Sequence, residues 1–342
     1  MFAQRIITAL ILFALLALVS CSVFKGKGKS DKWDHYKERE IEFSSYQMNA
    51  LREATTVFFI PSAQKELKGD YVRSFQEHWG LNPFIVDLYE NREKYQRGNF
   101  AFLKISGKFG EEEIDLRSKK KASEEEGQQF IPEIFLSLYM PLELKDKRGR
   151  LVKTGIDFAR QDLYLEPEAE MQALAQQSKE QTISMMYRDA EIHNLSPGLL
   201  ALYLLEIQRN LDLSKRPYIK EKITREQELE KLGRNVLYLP KYALKKFDKY
   251  GGSQTDSLNI EEIKEVYPGK LEILSKEELS TLILNGIEVF VLDLCISGPH
   301  KWVNVYSSHS GKIFQRYASG EKDLDLDDFS PFSKYVEQEN PE

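Results

Sequence analysis

Two stretches decide how this chain reads: TVFFIPS, residues 56–62, and NVLYLPK, residues 235–241. Each is a run of β-branched, aromatic and aliphatic residues stopped by a proline, Pro61 or Pro240. Such side chains pack well on a pleated surface, and proline cannot donate to the ladder that would follow, so both read as short strands. Downstream of the second, Asn259 can cap a helix running to Val266, broken by the YPG that follows. KLEIL (270–274) reads as a strand. Ser275, with Glu278 three residues on, forms a capping box that opens KEELSTLIL, and Asn285-Gly286 closes it. EVFVLDLC (288–295) is nearly continuous in apolar residues, as a central buried strand is. KWVNVYSSHSGKIFQRYA (301–318) alternates, turns at Ser310-Gly311 and alternates again, which predicts a hairpin.

The first half has the same order. A helix is expected around Tyr71 to Trp79, ended by Gly80, then a strand in PFIVDLY (83–89) and a short helix or turn in ENREKYQRG (90–98). FAFLKIS (100–106) is the central strand, and a charged loop, KKKASEEEG (119–127), leads to EIFLSLYMPL (133–142), which turns at DKRGR into LVKTGIDFA (151–159). Both halves read β-α-β-α-β-β-β, an α/β class in which each unit is a small parallel sheet with an antiparallel hairpin appended. The shared order predicts an internal duplication. Between the halves, residues 166–193 space Met171, Leu174, Ile183 and Met186 loosely as on an amphipathic helix. Ser196-Pro197 starts a second helix, GLLALYLLEIQRNL (198–211), apolar almost all round and therefore expected to be buried. ITREQELEKLG (223–233) then leads into the second unit.

The amino terminus carries an address. Arg5 is the only charge before the apolar run of residues 6–19, which is too short to cross a bilayer as a helix, where about 20 residues are needed. Leu18-Val19-Ser20-Cys21 resembles the lipobox of bacterial lipoproteins. That resemblance implies cleavage before Cys21 and its acylation, for instance with palmitate, as a membrane anchor. SVFKGKGKSDK (22–32) is basic and glycine-containing, the composition of a flexible tether. GKGKS lacks the first glycine of a phosphate-binding loop. The tether shows neither the acidic residue after the cysteine that retains such proteins in the inner membrane nor an acidic export cluster, so the expected place is the periplasmic face of the outer membrane.

The expected divisions are a signal peptide (1–20), a lipidated cysteine and tether (21–50), a first α/β domain (51–165), a helical connector (166–233), a second α/β domain (234–330) and an acidic tail (331–342). The formal net charge is −6, and −7 once Arg5 leaves, which argues against nucleic-acid binding. Cys295 is the single thiol beyond Cys21, so no disulfide is expected within the mature chain.

Chemistry-bearing patterns are sparse. The five histidines form no HExxH, and a two-histidine metal site of His300 and His309 is the sole candidate, solvated turn residues being the alternative. Cys295 with His300 as base would make a nucleophile pair, although free cysteine usually packs as a small hydrophobe. DLDLDD (323–328) departs from a calcium loop, with Asp328 at the glycine position and Lys334 at the glutamate position, and reads as a solvated acidic edge. Trp79, Tyr89 and Tyr95 are candidates for a sugar-binding cleft. No cofactor motif is present.

A strand-helix-strand crossover followed by a hairpin, echoed in YSSHSGKIFQRY, resembles the amino-terminal domain of TolB and the core of CsgG-type lipoproteins. That resemblance implies assembly and binding roles without catalysis. The expectation is a non-catalytic, lipid-anchored adaptor with an envelope protein as partner. The alternatives are a binder of a glycan or small molecule held between the two units, and an enzyme of unrecognised type.

Overall fold

TVFFIP forms β1 (Thr55–Ile60), which lies between two parallel neighbours, β2 (Phe84–Leu88) and β3 (Phe100–Lys108). β4 (Glu133–Lys145) and β5 (Leu151–Asp162) extend the sheet antiparallel, giving the order β2-β1-β3-β4-β5. The computed structural model describes residues 40–108, 133–145, 151–166, 178–217, 220–247, 254–255, 258–298, 300–319 and 323–337. Cys21 with the motif before it, the tether up to residue 39, the loop 119–127, Met171 and Leu174 lie outside the described residues.

The second sheet starts in the chain with β6 (Ile223–Thr224), followed by β7 (Val236–Pro240), β8 (Lys270–Leu274), β9 (Phe290–Ser297), β10 (His300–Ser307) and β11 (Gly311–Ser319). Its order is β8-β7-β9-β10-β11-β6. β7 is parallel to β8 and β9, and the last three pairings are antiparallel. Strand order and direction thus repeat from one sheet to the other, with β6 as an added edge.

The helices, in chain order, are α1 (Ser45–Glu53), α2 (Lys68–His78), α3 (Lys179–Arg188), α4 (Pro197–Asp212), α5 (Glu226–Glu230), α6 (Ile260–Val266), α7 (Lys276–Leu284) and α8 (Ser330–Glu337). The caps read from the sequence are in place. The Asn259 side chain accepts from Glu261 N–H, Ser275 and Glu278 form the reciprocal box, and Ser196 accepts from Leu199 N–H ahead of Pro197. Each such cap stabilises its helix by about 1 kcal/mol.

Several expected boundaries move. The last part of the expected tether is folded: Phe43 is buried and α1 starts at Ser45. The connector contributes β6 to the second sheet, because Ile223 and Thr224 complete the ladder on Gln315 and Phe314. Residues 331–337 do not belong to an acidic tail. They lie in α8, whose Phe332 and Val336 enter the second core beside Phe314 and Phe329. Nor do the sheets stand apart as two bodies, since Glu40–Glu342 clusters as one compact unit.

α4 is what joins them. It is buried almost all round, as its composition predicts, and lies against α2 on one side and α7 on the other. Ser74 Oγ of α2 donates to Pro197 O (2.7 Å), and Gly198 N–H donates to Ser280 Oγ of α7 (2.8 Å). A Cβ at Gly198 would lie 2.5 Å from Ser280 Cα, so glycine here permits backbone contact between two helices. Gly198→Ala is expected to cost about 1–3 kcal/mol by overpacking, read as a fall in Tm. Gly69→Ala, in open space at the start of α2, should leave Tm level or slightly higher. Equal Tm values for the two variants would contradict this packing.

Candidate functional site

The two crossovers of the first sheet leave its faces unequally covered. Consecutive strand residues point to opposite faces. Phe58 packs under α2 against Tyr71 and Phe75, while Phe59 on the other face meets Tyr89 and Tyr95. In the second sheet the crossover from β8 to β9 is a full helix, α7, whose Leu279 and Ile283 cluster with Val291 and with Leu199 and Tyr203 of α4. In the first sheet the equivalent crossover holds only a 3₁₀ turn, Tyr89–Tyr95, which is too short to cover the face.

The result is a groove of about 470 Å³, within the range of small-molecule sites. Its floor is the outer face of β3 and its neighbours: Phe59, Phe100, Phe102 and Tyr139. Its walls are Tyr89, Arg92 and Tyr95 of the turn, and Lys179 and Ile183 of α3. Phe59 and Phe102 stack at 6.1 Å, and Tyr95 stands edge-on to Phe100 at 5.4 Å. The groove thus lies over a face of the sheet and runs from the start of β3 at Phe100 along the strand to Ser106.

The walls are fixed from behind. Tyr89 stacks on Tyr187 of α3 at 3.9 Å with the rings parallel, and Tyr187 Oη accepts the Ile105 N–H at 2.7 Å, where β3 has run past the end of β1. Tyr95 Oη donates to Asp87 Oδ2 (2.7 Å). Burial, that hydrogen bond and the Asp87 charge push the Tyr95 hydroxyl up to about 12. Two glycines make room for rings: the Phe100 ring lies against Gly98, which has φ +130°, and the Tyr139 ring lies flat over Gly155.

The charge on the lining has one sign. Among the described residues it includes Arg92, Lys104 and Lys179 and no carboxylate. Lys104 Nζ sits 4.3 Å from the Tyr139 ring centroid and Arg92 Cζ 4.5 Å from that of Tyr89, both cation–π contacts. Burial pushes the Lys104 ammonium down, partly offset by Asp157, whose carboxylate accepts from Ser137 Oγ at 2.5 Å.

No protein-family model, no curated protein and no solved structure matches the chain.

The residues singled out from the sequence scatter. Tyr89 and Tyr95 do meet, but Trp79 is buried against Phe75 and donates from Nε1 to Asn82. His300 and His309 lie at the start and just past the end of β10, so they cannot share a metal, and no cluster of three or more candidate metal ligands occurs among the described residues. His300 is instead held at the sheet junction, with Nδ1 2.7 Å from Tyr317 Oη and Nε2 3.4 Å from Glu133 Oε1. Cys295 is fully buried and its thiol is pushed well up by burial, which removes it as a nucleophile. DLDLDD is not a solvated edge. It wraps a buried lysine: Lys301 Nζ donates to Asp328 Oδ2 (2.9 Å), Asp325 Oδ2 (3.1 Å) and Asp323 O (2.9 Å).

Much of the space between the two units is taken up by buried polar contacts. Asp293, fully buried, accepts from Tyr203 Oη (3.1 Å) and Tyr242 Oη (3.0 Å), and burial pushes its carboxyl up against these bonds. Tyr306 Oη donates to Gln161 Oε1, joining the sheets (2.9 Å). Arg160 pairs with Asp162 (2.5 Å) and Glu133 (3.1 Å). What remains is a space of about 50 Å³ between the sheets and one of about 200 Å³ between α2 and α7, lined by Asp70, Arg73, Glu277 and Thr281, both below the usual size of a small-molecule site.

Sequence reasoning missed Phe100, Phe102, Lys104, Tyr139 and Gly155. The signal was present in FAFLKIS: its alternate residues Phe100, Phe102 and Lys104 form one face, and residues 89–99 are too few to lay a full helix over it.

Proposed function

We propose that this chain is a lipid-anchored envelope protein that binds a small ligand with a flat apolar face, in the aromatic groove of its first sheet. The anchor is Cys21, through the lipobox resemblance, and the expected location is the periplasmic face of the outer membrane. The observation that carries the binding reading is the groove itself, a half-open aromatic surface over one face of the first sheet, with rings held from behind. Aromatic rings held in place stack on a flat ligand without losing rotamer freedom. The groove favours this reading over the adaptor role, and it moves the ligand from between the units to one face of the first.

The test is fluorescence titration with N-phenyl-1-naphthylamine, a flat neutral dye that brightens when it leaves water. Saturable binding at one site is expected. Gly155→Val, which pushes the Tyr139 ring off the sheet into the groove, should weaken it at least tenfold, and Phe102→Ser should do the same. Absence of saturable binding, or binding that both variants retain, would overturn the reading. For the anchor, labelled palmitate should enter the wild-type chain in cells and not the Cys21→Ala variant.

A further inference from the structure

The lining poses a question that stacking alone does not answer. An apolar pocket gains nothing from a buried cation, because removing an ammonium from water is costly unless an anion or a set of acceptors compensates. Lys104 is a half-buried cation, for which part of that cost applies. It projects from the middle of β3 between Phe102 and Ser106 on the groove face, and among the described residues no carboxylate lies within ion-pairing distance of its Nζ. Its close contact is the face of Tyr139, a weak substitute for a counter-ion. Arg92 repeats the arrangement across the groove, its guanidinium over Tyr89 and, among the described residues, the distant Tyr89 carbonyl (3.5 Å) as its acceptor. Lys179 adds a third positive group at the rim.

The nearby acids are hydrogen-bonded to other groups, and Asp157 offsets the burial of Lys104 only in part and from a distance. Asp87 accepts from Tyr95, Asn91 and its neighbour's backbone N–H, and Asp157 accepts from Ser137. The groove therefore offers an aromatic floor, a partly desolvated ammonium in that floor and a guanidinium on the wall, with its nearest acids hydrogen-bonded to other donors. The complementary molecule has a flat apolar body bearing an anionic group.

Resting on the binding reading above, we infer that the ligand is an amphipathic anion, an aromatic or alicyclic carboxylate, sulfonate or phosphate, whose charge is received by Lys104 and Arg92. The anion bridges from the floor to the turn while the ring system lies on Phe102 and Phe100. A free aromatic acid and the headgroup region of an acidic lipid share this chemistry, and the second is distinguished by its need for an acyl chain.

Two dyes that differ by one group test this on the full chain: N-phenyl-1-naphthylamine and 8-anilinonaphthalene-1-sulfonate, the same body with and without a sulfonate. The sulfonate is expected to bind about tenfold tighter, the effect of one charge-assisted hydrogen bond in a partly desolvated site. Lys104→Gln should bring the ratio of the two affinities towards one, and Arg92→Gln, at an exposed position, provides the same reading should the first variant fold poorly. Equal affinities in the wild type, or a ratio that neither variant changes, overturn the anion and leave the binding reading standing. Failure of either dye to saturate overturns both. Competition by 1-naphthoate assigns the source to a free aromatic acid, whereas competition by dihexanoyl phosphatidate and not by naphthoate assigns it to a lipid; either outcome supports the inference.

Discussion

Asp328→Ala is expected to destabilise the chain by about 3 kcal/mol, measured as the loss in unfolding free energy in urea. Asp328 has no exposed surface, and the Lys301 side chain beside it is 1% exposed. Oδ2 accepts from Lys301 Nζ and from Asp325 N–H (3.0 Å), and Oδ1 accepts from Arg316 (2.8 Å). Removing one partner of a buried pair strands the other, which costs about 3–5 kcal/mol. The lower end applies because Asp325, half exposed, still reaches Lys301. The same carboxylate closes the 3₁₀ turn Leu326–Asp328 that delivers Phe329 and α8 to the second core, so the loss should also release α8. Lys301→Met combined with Asp328→Leu should recover much of the stability, because an apolar replacement removes both desolvation penalties. A single variant within 1 kcal/mol of wild type would show that this cluster does not hold the second unit together.

The second large effect is a dependence on acid. His193 is buried between tyrosines, its ring parallel to Tyr242 at 5.5 Å and edge-on to Tyr164 at 5.0 Å, and among the described residues its Nε2 has no hydrogen-bond partner. Burial, with the charges of Lys245 and Lys276 adding to it, pushes the imidazole from 6.5 down to about 3. A base whose folded value is depressed binds its proton more readily when unfolded, so stability rises with pH. The contribution is complete above 6.5 and is lost as pH falls towards 3, at about 1.4 kcal/mol per unit. Between pH 7 and pH 4 His193 alone should remove roughly 3 kcal/mol. His193→Phe keeps the stacked ring and abolishes the titration, so its stability should fall less over that range by the same amount. Parallel losses in the two proteins would refute the assignment.

How far these features were legible in the sequence follows from the kind of physics that makes them. Local rules worked where local rules decide. The Ser275–Glu278 box, the Ser196-Pro197 start of α4 and the strand that holds EVFVLDLC depend on neighbours in the chain, and each is where the residues place it. The all-apolar α4 announced its burial, though not that it would join the two units. The failures are tertiary. DLDLDD looks like a wet acidic run until Lys301, two strands of chain away, is laid beneath it. Tyr89 and Tyr95 could be nominated as aromatic, but Trp79 is equally aromatic and points into the core, because the side of α2 it ends on is set by packing. Lys104 is invisible as a site residue until one knows which face of β3 is left uncovered.

That uncovered face bears on how such a protein can change over generations. The groove borrows its floor from a sheet whose other face is the core, but much of its wall from segments that support little else. Arg92 and Gln96 of the turn and Lys179 at the start of α3 are exposed, while the second unit spends the equivalent crossover on packing. Substitutions in the turn can therefore alter which molecule is accepted without touching the residues that keep the chain folded. The exposed positions of the short crossover are free to drift in preference, and the core packed under the other face of the same sheet carries stability that makes such drift tolerable.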